Sequence, residues 1–205
     1  MNRRALLTGG GVGALAVMLG LGWWRVDGPG APAGAARAST DPLLPLPLSQ
    51  MGWTLTDHQG DTLRPQDWVG RPTLAFLGFT ACPDVCPTTL SEISIWLEEL
   101  GEDADRLNVA LISVDPARDM PEVLAKYLSH FDPRIVGLTG APEEVARALA
   151  DFRAEAERIE VGETDYTMNH TAGVFLFQAD GSFGNIIDFH EDRAFALPKI
   201  RRLFG

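Results

Sequence analysis

The apolar positions along the chain change period several times, and those changes mark out its elements. Residues 72–79 read Pro-Thr-Leu-Ala-Phe-Leu-Gly-Phe, a nearly continuous apolar run that predicts a strand covered on both faces. After it, Leu90, Ile93, Leu97 and Leu100 recur at the spacing of one helix face, with Gly101 placed to close the helix. Residues 107–114 repeat the buried-strand pattern and stop at Asp115-Pro116. Residues 121–130 open with proline and carry Val123, Leu124, Tyr127 and Leu128, which predicts a second helix. A short strand comes next at 135–138, then a third amphipathic helix at 142–156 and a polar loop. Apolar runs at 172–177 and 183–189 flank Ala179-Asp180-Gly181-Ser182 as a hairpin, and 197–204 predicts a short closing helix. Upstream, Trp53-Thr54-Leu55 and Thr62-Leu63 flank His58-Gln59-Gly60-Asp61, a small hairpin with a glycine turn. Alternating strands and helices, then a hairpin and a helix, describe a thioredoxin-like α/β domain with an N-terminal β-hairpin extension.

The N-terminal pattern differs. Arg3 and Arg4 precede an uncharged stretch, 5–24, just long enough to cross a hydrocarbon core of ~30 Å at ~1.5 Å per residue. The arginine pair before Ala5-Leu6-Leu7 also resembles a twin-arginine export signal. Basic residues keep their end in the cytoplasm, so the chain beyond Trp24 is expected outside. Small-residue cleavage sites such as Ala33-Gly34-Ala35 and Ala36-Arg37-Ala38 lie far past the apolar run, and Trp23 and Trp24 suit the interface, which favours an uncleaved anchor over a removed signal. Residues 28–40 are rich in Ala, Gly and Pro without periodicity, and Pro42, Pro45 and Pro47 extend this tether. The expected organisation is an anchor or export signal at 1–24, a flexible linker at 25–46 and a folded domain at 47–205. It places the domain in the periplasm at a bacterial cytoplasmic membrane.

Charge narrows the partners. The 205 residues carry 28 acidic and 17 basic side chains. Without residues 1–40, which hold four Arg and one Asp, the balance is 27 to 13, or −14. Nothing in such a domain could neutralise phosphates, which argues against nucleic acid. The acidity suits solubility, or a basic partner.

The candidate chemistry lies between the first buried strand and the first helix. Cys82 and Cys86, the only cysteines, sit three residues apart in Phe79-Thr80-Ala81-Cys82-Pro83-Asp84-Val85-Cys86-Pro87-Thr88-Thr89-Leu90. Pro87 suits a first helical position, which makes Cys86 the expected N-cap. Both sulfurs would then lie near the positive end of the helix dipole, which favours thiolate. Two thiolates suit Cu(I), and with an added imidazole also Cu(II), whereas structural zinc wants four ligands. His58 in its hairpin turn is expected in solvent and His130 at a helix end. His170 and His190 both remain possible third ligands from spacing. Met120 and Met168 are softer candidates that more often fill gaps in a core. Asp84 either tunes the site or is solvated, and the acidic cluster at 188–192 is expected to be a solvated face.

The domain, over roughly residues 47–204, resembles the Sco/SenC family of copper-binding proteins. The resemblance is carried by the cysteine segment above, by Ser113-Val114-Asp115-Pro116-Ala117-Arg118-Asp119-Met120-Pro121-Glu122, by Phe131-Asp132-Pro133-Arg134-Ile135-Val136-Gly137-Leu138-Thr139-Gly140 and by the segment around His170. It implies a thioredoxin-like fold, a membrane tether, and copper held by Cys82, Cys86 and His170. It further implies delivery of that copper to the dinuclear site of cytochrome c oxidase during assembly. The expected partners are the oxidase's copper-site subunit and an upstream copper donor. Ala81 stands where many relatives carry a larger aromatic or His, and Asn169 where many carry Asp. Two rival functions use the same thiols. One is a thiol–disulfide oxidoreductase that reduces the acceptor's cysteines, although such catalysts usually space theirs by two residues rather than three. The other is a thiol peroxidase, for which nothing near Cys82 marks a dedicated site.

Overall fold

The structure, a computed structural model, describes residues 43–189 and 191–205. The expected anchor at 1–24, most of the linker and His190 lie outside the described residues. Among the described residues no helix is long and apolar enough to cross a membrane.

The chain forms a mixed seven-stranded sheet and a separate two-stranded ribbon. The small hairpin comes first, as β1 (Leu55–Asp57) paired antiparallel with β2 (Thr62–Leu63). Strand β3 (Thr73–Gly78) lies near the middle of the sheet, and all six of its residues are buried. It is parallel to β4 (Asn108–Ser113), which is parallel to β5 (Ile135–Thr139). On its other side β3 pairs antiparallel with β8 (Gly173–Phe177), which hairpins into β9 (Phe183–Asp188). The order across the sheet is β2-β1-β5-β4-β3-β8-β9. Connecting helices are α1 (Val85–Leu100), α2 (Pro121–Leu128) and α3 (Pro142–Phe152), and α4 (Arg193–Arg201) closes the fold. Leu90, Ile93, Leu97 and Leu100 of α1 are buried as their spacing predicts, and Gly101 at φ 57° ends the helix.

Several element boundaries differ from expectation. Helix α1 begins at Val85, with Asp84 rather than Cys86 as N-cap. Pro87 is therefore its third residue, where a missing N–H costs nothing because first-turn donors have no partner within the helix. Helix α3 stops at Phe152 because Arg153 turns left-handed at φ 55°. Helix α4 starts four residues early, since the Asp192 side chain accepts the Ala194 N–H and caps it. The polar loop after α3 is in fact a ribbon, β6 (Ala156–Val161) paired antiparallel with β7 (Asp165–His170) from Ala156↔His170 to Val161↔Asp165. Every β6 residue but Ala156 is exposed, so no buried face signals it as a strand.

This topology gathers distant segments. Because β3 and β4 are parallel and β8 runs against them, the ends of β3 and β4 and the start of β8 share one end of the sheet. The cysteine loop, the 114–120 loop and His170 meet there. Ligand sites in open α/β sheets favour such an end, where connections diverge to either side of a central strand.

Candidate metal centre

The cysteine loop leaves β3 at Phe79 and is fixed first through Asp119, which is fully buried. Its carboxylate accepts the Thr80 hydroxyl at 2.5 Å, the Thr80 N–H at 3.2 Å and the Ser113 hydroxyl at 2.6 Å. Burial pushes the Asp119 carboxyl up while these donors hold it down. One carboxylate thus joins the start of the cysteine loop to the end of β4.

Both cysteines are free thiols, and their surroundings differ. Cys86 is fully buried in the first turn of α1, and Cys82 is half-buried on the loop before it. The Cys86 N–H donates to Cys82 Sγ at 3.4 Å, so it is the Cys82 sulfur that sits on the helix N-terminus. Burial drives the Cys86 thiol well above its ordinary range, against a smaller opposing pull from the Phe79 backbone. The expectation of two dipole-stabilised thiolates is corrected for Cys86: its sulfur is inside the helix turn and out of water, and desolvation outweighs the dipole. Gly78 makes room for it. A Cβ there would lie 3.1 Å from Cys86 Sγ and 2.9 Å from the Phe76 ring.

His170 ends β7 and faces this pair. Its Nε2 lies 3.8 Å from Cys86 Sγ, and its Nδ1 is 3.0 Å from the Thr171 carbonyl. A carbonyl only accepts, so the proton belongs on Nδ1 and the Nε2 lone pair points at the sulfur. Burial lowers the imidazole's affinity for a second proton, which keeps it neutral. The Phe79 ring meets it edge-on, with centroids 5.7 Å apart. Bonds of about 2.0–2.3 Å to nitrogen and sulfur would set those atoms about 3.5–4.3 Å apart, so the 3.8 Å gap fits one shared ion. Among the described residues no three His, Cys, Asp or Glu side chains form a closed metal cage. An ion would have to draw Cys82 in to complete a set of three.

The remaining candidates fall away from this point. His58 is half-buried rather than free in solvent: its Nδ1 accepts the Gly137 N–H at 2.9 Å and pins the hairpin to β5. His130 is exposed beyond the end of α2. Asp84 is exposed and faces the Thr88 hydroxyl at 3.5 Å. Met168 packs against the core, whereas Met120 is 54 % exposed and fills no gap. The acidic cluster is engaged rather than merely solvated, with Glu191 on Lys199 at 2.6 Å and Asp192 capping α4. Sequence reasoning gives no role to Thr80, Ser113 or Asp119. Their one signal is that all three fall within the segments that carry the family resemblance. An open groove of about 610 Å³ runs beside His170, floored by Leu149, Ala150 and Ala156 and rimmed by Glu155 and Glu157.

A thioredoxin-like α/β domain with two free cysteines just past its central strand, faced by one neutral histidine from a separate ribbon, defines a class: soft-metal or thiol proteins. Likeness to known proteins makes it specific. The SCO1/SenC family model matches residues 46–205, and the chain belongs to that family. It is 37% identical over 142 residues to the human mitochondrial SCO1 homolog, covering 67% of this chain and 46% of that protein. To the zebrafish mitochondrial SCO2 homolog it is 38% identical over 146 residues, 70% of this chain and 51% of the relative. The chain spans about half the length of the curated relatives it matches. The copper-bound structure of Bradyrhizobium japonicum ScoI superposes with a TM-score of 0.69 at 42% identity, over 74% of this chain and 96% of that one. Copper-bound yeast Sco1 gives 0.66 at 32% identity, over 73% and 84%.

Proposed function

We propose that this chain is a copper-binding metallochaperone that delivers copper to the dinuclear copper site of cytochrome c oxidase during assembly. The observation that carries the reading is the orientation of His170: its Nδ1 proton is taken by Thr171, so its Nε2 lone pair is turned on Cys86 Sγ at 3.8 Å. Cys82 and Cys86 supply soft thiolates to Cu(I), and the imidazole extends the set to Cu(II). Copper is cargo here, and a low coordination number leaves room for an acceptor's ligands before the donor's leave. Cys82, half-buried beside an open end of the sheet, is the sulfur such ligands reach first. The copper-bound relatives and the family match support copper, and the family supports the oxidase subunit and an upstream donor as partners. Residues 1–24 hold the domain at the cytoplasmic membrane, facing the periplasm. Support for that is the Arg3-Arg4 pair before an uncharged stretch.

The same free thiols would serve a reductase of the acceptor's cysteines, so the test must separate the two. Simple thiol exchange needs a thiolate, an accessible leaving group and a suitable potential, but no imidazole. A His170→Ala variant should fail to support oxidase activity in cells under limiting copper, at matched protein level, while reducing a model disulfide at near the parent rate. Oxidase assembly equal to the parent's would replace delivery by reduction.

A further inference from the structure

Beyond the three metal-facing residues, the ribbon that carries His170 needs an anchor of its own. Neither β6 nor β7 pairs with the main sheet, and two strands alone are marginal in water. Near the His170 end the ribbon is tied by Thr171 N–H to the Glu155 carbonyl at 2.9 Å and by Glu155 N–H to the Thr171 hydroxyl at 3.0 Å. Those bonds close the ribbon on itself and leave its direction open. Along β7, residues 166, 168 and 170 share one face. Met168 on that face packs on the core, and His170 meets Cys86.

Tyr166 makes the far attachment. Its hydroxyl donates to Asp115 Oδ1 at 2.9 Å, and its carbonyl accepts from Arg118 Nη1 at 2.9 Å. The Arg118 guanidinium carbon lies 3.7 Å from the ring centroid, and that of Arg158 also lies 3.7 Å from it. Two guanidinium carbons that close to one centroid have room only on opposite faces, so the ring is sandwiched. Both cations are neutralised locally, Arg118 by Asp115 and Arg158 by Glu160 at 2.8 Å. Arg118 also reaches to 5.9 Å over the Phe79 ring, the ring that meets His170 edge-on. One arginine therefore touches the loop after β4, the ribbon and the wall of the metal centre.

We propose that Tyr166, sandwiched between Arg118 and Arg158 and bonded to Asp115, is a positioning residue that sets where His170 stands relative to the two sulfurs. The ribbon is then held at three points on one face, with Tyr166 about 13 Å from His170 at the strand rise per residue. Removing the far point lets the ribbon pivot about Met168, and His170 swings off Cys86 without any ligand being lost. This rests on His170 being a copper ligand, and the experiment keeps the two apart.

The measurements use the domain of residues 41–205 and its Tyr166→Ala and Tyr166→Phe variants. In the metal-free protein, Tyr166→Ala should speed amide hydrogen exchange at residues 168–170 at least tenfold, with β3 and β4 unchanged. With copper(II) chloride added, the same variant should shift the thiolate-to-copper absorption band and lose copper to a chelator at least tenfold faster. Tyr166→Phe keeps the stack and drops the Asp115 bond, and it should recover more than half of both effects. Parent-like exchange at 168–170, or exchange that rises equally in β3 and β4, would overturn the proposal. His170→Ala run beside them tests the ligand reading: an unchanged copper band there removes that reading, while the metal-free exchange data still decide the role of Tyr166.

Discussion

Burial holds His170 neutral and Cys86 protonated over a wider pH range than water would, and both leave a signature in pH. Burial lowers the His170 pKa, so on acidification the unfolded chain takes up its proton before the folded one does. Stability contributed by the neutral ring is thus complete above the unfolded value of about 6.5 and is lost as pH falls from there toward the folded value. Urea unfolding of the metal-free domain between pH 7.5 and 5 should show that loss, and His170→Asn should flatten it. Cys86 acts on the metal instead. Its thiol is pushed up by burial, so copper bound there as proposed would displace its proton, and affinity should rise by up to about tenfold per pH unit between pH 6 and 8. A flat profile from competition with a chromogenic Cu(I) chelator would mean that both thiolates are preformed. Gly78 supplies a steric counterpart. A methyl group there would press on Phe76, Leu111 and Cys86 Sγ, so Gly78→Ala should cost about 1–3 kcal/mol and, with Cys86 as the proposed ligand, alter the copper spectrum.

Among the elements, Asp119 has the clearest consequence for stability. Asp119→Ala would orphan the Ser113 and Thr80 donors, and it should cost about 1–3 kcal/mol in urea unfolding while loosening the cysteine loop. How legible each element is in the sequence depends on what it buries. Strands β3 and β4 are legible because both faces are covered and the sequence has no choice but to be apolar. Ribbon β6–β7 is illegible for the opposite reason: Glu157, Arg158 and Glu160 leave it no buried stripe, and it exists through register, a turn at Gly162 with φ 73° and the contacts of Tyr166. The start of α1 lies two residues ahead of its expected place because proline is tolerated at the third helical position as well as at the first. The chemistry of Cys82, Cys86 and His170 is visible as residue types. The burial that raises one thiol, and the hydroxyls that hold Asp119, belong to tertiary packing and leave no local trace.

At the scale of the whole molecule, the metal centre joins segments that are remote along the chain but share one end of the sheet: residues 82–86 after β3, 113–119 after β4 and 170 before β8. The domain's net negative charge predicts that association with a basic partner slows as salt rises, which stopped-flow mixing at two ionic strengths would measure. That convergence also bears on stability. An ion shared by Cys86 and His170, as proposed above, would close a loop of more than eighty residues and act as a removable cross-link between the first and last thirds of the domain. By mass action, free copper at 100 times its dissociation constant should add about 2.7 kcal/mol to folding. For a domain of this size that is a melting temperature roughly 5–10 °C higher. Scanning calorimetry with and without copper would read it, and Cys86→Ser should abolish it. If copper is cargo held as proposed, giving it up also gives up the cross-link, and the empty chain should be the looser molecule. A donor or acceptor would then tell the two apart by how readily the ribbon moves, before any metal had changed hands.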